Sequence, residues 1–93
     1  DEYDKKAIPI EDRVEFISSN ELRVPGDMQL KDFNDFFKTN LESEYYQTLG
    51  GWMLEQFDVL PSVGDLLRTD ICTFIVEQLD QRRIKTVRVK FSR

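Results

Sequence analysis

Histidine is absent from this chain, cysteine occurs once, and proline and glycine together account for seven of its 93 residues. Without an imidazole there is no Ser-His-Asp triad, no Cys-His zinc site and no ordinary neutral-pH proton shuttle. The lone Cys72 has no partner within the chain, which excludes a disulfide-stapled scaffold and suits a reducing compartment. Long hydrophobic runs are missing too. The longest, residues 71–76, is six residues and includes Thr73, against roughly 20 for a bilayer-spanning helix. Scarce glycine and proline, with 40% apolar and 12% aromatic residues, exclude collagen-like, low-complexity and wholly disordered chains. What remains is one small folded domain, with no length for a second core.

The charge changes sign along the chain. Residues 1–16 carry −3, residues 17–81 carry −8 and residues 82–93 carry +6, giving the net −5. An acidic body disfavours nonspecific nucleic-acid binding. The basic end reads either as a patch for an anion or a membrane surface, or as a terminal strand with Arg and Lys at its exposed positions. The opening Asp1-Glu2-Tyr3-Asp4-Lys5-Lys6 is polar and aperiodic, begins without Met and shows no signal peptide. It reads as a linker. Its carboxylates are oxygen ligands for a hard cation in principle, but no glycine-centred calcium loop surrounds them.

Residues 14–17 alternate in part and read as a first strand. Ser18-Ser19-Asn20 is turn chemistry, and residues 21–24 form a half-buried strand ended by Pro25-Gly26-Asp27. From Met28 the period changes. Leu30, Phe33, Phe37 and Leu41 recur at helical spacing, with Phe36 widening the stripe, which predicts an amphipathic helix over 29–39. It would start at Asp27 or Gln29, without a strong capping box. Its phenylalanines at that spacing read as core rather than as an aromatic ligand site. A second stripe, Leu49, Trp52, Met53, Phe57 and Leu60, predicts a second helix, with Trp52 packed between it and the sheet.

Gly50 and Gly51 fall in that helix's first turn, where glycine costs roughly 1 kcal/mol relative to alanine. The pair points to another backbone packing closely there, with approach to a ligand as the alternative. No G-x-G-x-x-G spacing and no following Lys-Ser/Thr make it a phosphate loop. Beyond the Pro61-to-Asp65 turn, residues 66–69 read as a short strand and 72–79 as a long one, apolar on both faces and so central in a sheet. Cys72 within it reads as an inert small hydrophobe. Residues 83–91 form the last strand, with Val87, Val89 and Phe91 on one face and Arg88 and Lys90 on the other. Ile84 is out of phase with Val87, which predicts a bulge near Lys85. The order β-β-α-α-β-β-β defines an α+β domain: two helices packed on one side of an antiparallel-rich sheet of about five strands.

The ordered motifs Thr48-Leu49-Gly50-Gly51, Pro61-x-x-Gly64-Asp65, Phe74-x-Val76, Asp80, Arg82-Arg83-Ile84 and Val87-Arg88-Val89 resemble the CorC/HlyC transporter-associated domain, over roughly residues 14–91. Two positions depart from that pattern. Gln81 stands where the family has glycine after the aspartate of the last hairpin, so a longer loop is expected. Gln47 replaces the aspartate before Thr-Leu-Gly-Gly, which weakens a capping or cation role there.

The resemblance implies a module that follows a pair of CBS domains in magnesium and cobalt efflux proteins, often called hemolysin-like. Residues 1–13 would then be an acidic linker from the CBS pair, and residues 14–93 the domain itself. Its implied role is non-catalytic: regulation or interaction at the C-terminus of a membrane ion transporter, on the cytoplasmic side of the cell membrane. The implied partners are the CBS pair and membrane domain of the same protein, with a homodimer as a further candidate, and neither nucleic acid nor direct membrane insertion. Arg82, Arg83, Arg88 and Lys90 are the candidate interaction residues. The family's fold is also grouped with domains that bind flavin adenine dinucleotide, so the alternative is a ligand-binding module for a flavin or adenine nucleotide. Gly50, Gly51, Arg82 and Arg83 would be its anion contacts, with Trp52 or Tyr45 as stacking surface. That link is fold-level analogy, and a fold carries no site with it. No cofactor, metal site or catalytic residue is expected. An enzyme would need a carboxylate-only mechanism, and nothing distinguishes a pair such as Glu42 and Glu44 from solvated charge.

Overall fold

The computed structural model describes residues 13–91, so all of the acidic linker expected over residues 1–13 except Arg13 lies outside the described residues. Seven elements follow in the expected order: β1 (Glu15–Ser18), β2 (Glu21–Pro25), α1 (Leu30–Phe37), α2 (Leu49–Phe57), β3 (Leu66–Arg68), β4 (Cys72–Asp80) and β5 (Arg83–Phe91). The strands form one sheet in the order β1-β2-β5-β4-β3, with every neighbouring pair antiparallel. The last strand therefore lies in the middle, between β2 and β4. The long β4, expected at the centre, is interior but one place to the side.

Alternation decides which face is covered. Leu22 and Val24 of β2, Phe74 and Val76 of β4, and Val87 and Val89 of β5 are buried on the face that meets Leu30, Phe33, Leu49, Trp52 and Met53 of the helices. Trp52 is 6% exposed and meets the Phe74 ring edge-on at 5.1 Å, so it packs between α2 and the sheet as its spacing predicts. The phenylalanines of α1 are core as well. Phe33 is fully buried, Phe37 lies 4.6 Å from it, and Phe37 reaches Phe91 at 5.4 Å.

Both helices stop short of the expected ends, for local reasons. In α1, Lys38 adopts a left-handed conformation (φ 61°). The Asn34 side chain then holds the reversed chain: its Oδ1 accepts from Thr39 Oγ1 (2.7 Å) and Leu41 N (2.9 Å), and its Nδ2 donates to the Leu41 carbonyl (2.9 Å). An asparagine that satisfies the loop ends the helix two residues early. In α2 the left-handed residue is Asp58 (φ 73°), so Leu60 lies beyond the helix and is exposed rather than part of its buried stripe.

The β4–β5 hairpin corrects the expected longer loop. Asp80 pairs with Arg83, leaving a two-residue connection, and Gln81 takes the left-handed backbone (φ 60°) that glycine would adopt more cheaply. The predicted bulge is present. Val76 faces Val87, Gln78 faces Thr86 and Leu79 faces Ile84, so Glu77 is extra on one strand and Lys85 on the other. The slip lets Ile84 and Val87 both enter the core.

Candidate functional site

Three backbone segments converge beside the start of β5. The Gly26 amide donates to the Lys85 carbonyl (2.8 Å), extending the β2–β5 ladder past Pro25, and the Gly50 amide donates to the Gly26 carbonyl (2.7 Å). A Cβ on Gly26 would overlap the Ile84 carbonyl, and one on Gly50 would sit 3.0 Å from both the Gly26 and Ile84 oxygens. Backbone crossing, the first of the two readings of the Gly-Gly pair, thus accounts for Gly50. Gly51 serves a different neighbour: a Cβ there would lie 2.6 Å from Tyr46 Cβ and from the near edge of its ring.

The amino end of α2 is saturated by its own chain. Leu49 N donates to the Met28 carbonyl (2.8 Å), Gly50 N to Gly26, and Gly51 N to the Thr48 hydroxyl (3.1 Å), which caps the helix. A phosphate at a helix start needs such amides free. Here they are occupied, so the glycines cannot contribute the backbone anion contacts considered for them.

Around this crossing lies a cleft of about 500 Å³. Tyr46, Leu54 and Ile84 supply apolar wall, and Arg83 and Lys85 line the hairpin side together with Asp80. Of the four residues weighed as ligand contacts, Gly50, Gly51 and Arg83 come together here, while Arg82 sits exposed at the hairpin tip outside the lining. Neither arginine pairs with Asp80 or Asp65. The expected stacking residues are misplaced: Trp52 is buried in the core, and Tyr45, 77% exposed, does not line the cleft. Tyr46 does. Gly26, Tyr46 and Lys85 were not legible as cleft residues, although the Pro-Gly-Asp turn and the phase slip each mark a position there.

The opposite face of the sheet carries an ion-pair chain across four strands. Glu15 meets Arg23 (2.8 Å), Arg23 grips Glu77 through two bonds (2.6 and 2.9 Å), Glu77 meets Arg88 (3.0 Å), and Arg88 meets Glu21 (3.1 Å). The hydrogen bonds from Arg23, outweighing partial desolvation and helped by Arg88, hold the Glu77 carboxyl down at about 2. Hydrogen bonds to Glu77 and Glu21 in turn raise Arg88. Arg88 is therefore occupied within the domain. Lys90, on the same face, is exposed. Cys72 is buried, and burial pushes its thiol up, away from the reactive thiolate. Among the described residues no three His, Cys, Asp or Glu side chains gather for a metal ion, and no helix is long and apolar enough to cross a membrane.

Two helices closing one face of a five-stranded antiparallel sheet, beside a cleft built on a three-way glycine crossing, define a small α+β domain. Residues 15–93 match the CorC/HlyC family described as the transporter associated domain, and the chain belongs to that family. The magnesium and cobalt efflux protein CorC of Escherichia coli K12 is 35% identical over 92 residues, covering 97% of this chain and 30% of that protein. The chain thus spans about 30% of the length of the curated relatives it matches. Among solved structures, a putative Mg2+ and Co2+ transporter (CorC) associated region from Neisseria meningitidis is similar with a TM-score of 0.78, at 28% identity over 85% of this chain and 98% of that one. A transporter associated domain of a Xylella fastidiosa hemolysin, in complex with Mg++ and Mn++, has a TM-score of 0.76 at 16% identity, covering 87% and 99%. That last likeness concerns the fold alone.

Proposed function

We propose that this domain is a non-catalytic regulatory contact module of a CorC-type ion efflux protein. The observation that carries the reading is the match of 97% of the chain to 30% of a magnesium and cobalt efflux protein. A domain of this size influences transport by binding one state of the transporter more favourably than another. A coupling of about 1–3 kcal/mol changes affinity or gating severalfold. The partners in this reading are the CBS pair and membrane domain of the same protein, reached through residues 1–13 as linker, on the cytoplasmic side. A tether raises the effective concentration of even a weak contact. The contact falls on the basic hairpin, Arg82 and Arg83, with Lys90 on the open face. Arg88 contributes less, since its charge is met by Glu77 and Glu21.

The test uses the full-length transporter in vesicles. Intact protein is compared with protein truncated after Asp12 and with an Arg82→Ser/Arg83→Ser/Lys90→Ser variant, which leaves the ion-pair chain intact. A changed rate, or a changed magnesium, cobalt or nucleotide dependence, supports regulation. Identical transport in all three overturns it and leaves an assembly or stability role.

A further inference from the structure

The cleft beside the glycine crossing has features that packing alone does not require. Its volume, about 500 Å³, lies within the roughly 300–1,000 Å³ typical of small-molecule sites. Much of its lining is apolar: the Tyr46 ring held against Gly51, Leu54 from α2 and the buried Ile84. Its cations are unengaged. Arg13, Arg23 and Arg88 all form ion pairs, whereas Arg83 and Lys85 form none among the described residues. They stand on a chain whose residues 17–81 carry −8.

We infer that this cleft binds a small organic carboxylate with an apolar or aromatic body, its acid group held by Arg83 and Lys85 and its body against Tyr46, Leu54 and Ile84. The charge balance selects a single negative charge. Asp27 is neutralised by Arg13 at 2.7 Å, and Asp80 offsets one of the two free cations, leaving one positive charge in the cleft. The backbone selects carboxylate over phosphate. Phosphate sites draw on convergent free amides, and the amides of Leu49, Gly50 and Gly51 are already bonded. Side-chain cations alone suit the planar carboxylate, which the guanidinium fork of Arg83 can meet with two hydrogen bonds. The inference is independent of the regulatory reading, because ligand titration and vesicle transport are separate measurements and either can fail alone.

The experiment titrates the 93-residue chain with 4-phenylbutyrate and with indole-3-acetate, followed by amide resonances in a two-dimensional NMR spectrum. Their neutral amides and phenyl phosphate serve as matched probes. The expected result is saturable shifts at Gly26, Gly50 and Gly51 below about 1 mM carboxylate, with the amides roughly tenfold weaker or more. Arg83→Ser and Lys85→Ser, made singly and together, should each weaken carboxylate binding, while Lys90→Ser on the other face should not. The singles keep the test open should the double variant fold poorly. Absence of saturable shifts, equal binding of the neutral amides, tighter binding of phenyl phosphate, or unchanged affinity in folded Arg83→Ser and Lys85→Ser would each overturn the assignment.

Discussion

Replacing Gly26, Gly50 and Gly51 by alanine, one at a time, should give three different outcomes, because the added methyl meets three different kinds of neighbour. At Gly26 it overlaps the Ile84 carbonyl, which is backbone at the centre of the sheet and cannot swing aside. Relief requires moving β2 away from β5, and the Gly26–Lys85 (2.8 Å) and Gly50–Gly26 (2.7 Å) hydrogen bonds both lie in the way. Two such bonds are worth about 1 kcal/mol each, and the core above them loosens as well, so about 3 kcal/mol is expected. At Gly50 the methyl stands 3.0 Å from two carbonyl oxygens and needs a few tenths of an ångström of relief. Against that strain alanine gains up to about 1 kcal/mol of helix propensity, so the net should fall within about 1 kcal/mol of zero.

At Gly51 the methyl meets Tyr46 Cβ, Cγ and Cδ1, all at 2.6 Å, and because that Cβ is fixed to its own backbone, rotating the ring does not clear the contact and the chain around Tyr46 must shift. The propensity gain of up to about 1 kcal/mol offsets only part of that overpacking, so Gly51→Ala should be destabilised by about 1–2 kcal/mol, less than Gly26→Ala because the loop that carries Tyr46 can move more easily than the sheet. Urea unfolding measures the series directly, with Trp52, the single tryptophan and a buried one, as the fluorescent reporter. In a domain of this size about 3 kcal/mol corresponds to a fall in Tm of roughly 12–20 °C. A Gly26→Ala protein within 1 kcal/mol of the parent, or a Gly51→Ala protein as damaged as Gly26→Ala, would refute the backbone-crossing account.

Other substitutions test other parts of the fold. Trp52→Ala removes the ring that meets Phe74 at 5.1 Å, and the fluorescent reporter with it, so its unfolding is followed by far-ultraviolet circular dichroism; it should cost about 3–5 kcal/mol, and a variant melting within a degree or two of the parent would contradict the burial of Trp52. Gln81→Gly relieves a left-handed non-glycine residue (φ 60°) and should stabilise by about 0.5–1 kcal/mol, as a raised urea midpoint. Glu77→Gln should cost on the order of 1 kcal/mol at pH 7, where solvent screens the network. Glu77 is depressed to about 2 from an ordinary 4.5, so its stabilisation is present above pH 4.5 and fades as pH falls toward 2; midpoints measured across that window should converge for parent and variant.

The elements were legible because one face of each is buried. Period two along 83–91 and period 3.6 through Leu49, Trp52 and Met53 mark the same residues that the core contains. Even the bulge could be read, since Ile84 and Val87 cannot share a face without one. Partners across the sheet were not legible. Strand parity assigns Arg88 to the open face, but its pairing with Glu77 and Glu21 follows from β5 lying between β4 and β2, an order that no local pattern encodes. The hairpin misled for a related reason. Glutamine after Asp80 argues locally for a longer loop, yet the long β4–β5 pairing imposes the tight turn and strains Gln81 instead. Gly26 likewise reads as turn chemistry, and its approach to Ile84 emerges only when residues 58 positions apart are brought together.

The bulge at Lys85 also divides the basic end by environment. Beyond it, Arg88 alternates with Val87 and Val89, points away from the core and meets carboxylates of β2 and β4. Before it, Arg83 and Lys85 line the cleft and meet none. One charged strand therefore borders two surfaces, one neutralised by ion pairs and one with free cations. Around Arg88 the open face is self-neutralised, so a partner docking on the ion-pair chain itself would have to break existing pairs and desolvate charges for little gain, and only Lys90 at its edge is uncommitted among the described residues. The cleft and the hairpin tip offer cations with no prior commitment, in a region otherwise acidic. Recognition of an anion, whether a small acid or an acidic partner surface, is favoured where no internal carboxylate competes. The bases at the end of the chain are thus not equivalent: Arg88 is committed to carboxylates within the domain, whereas Arg82, Arg83 and Lys85, before Thr86, form no ion pair among the described residues.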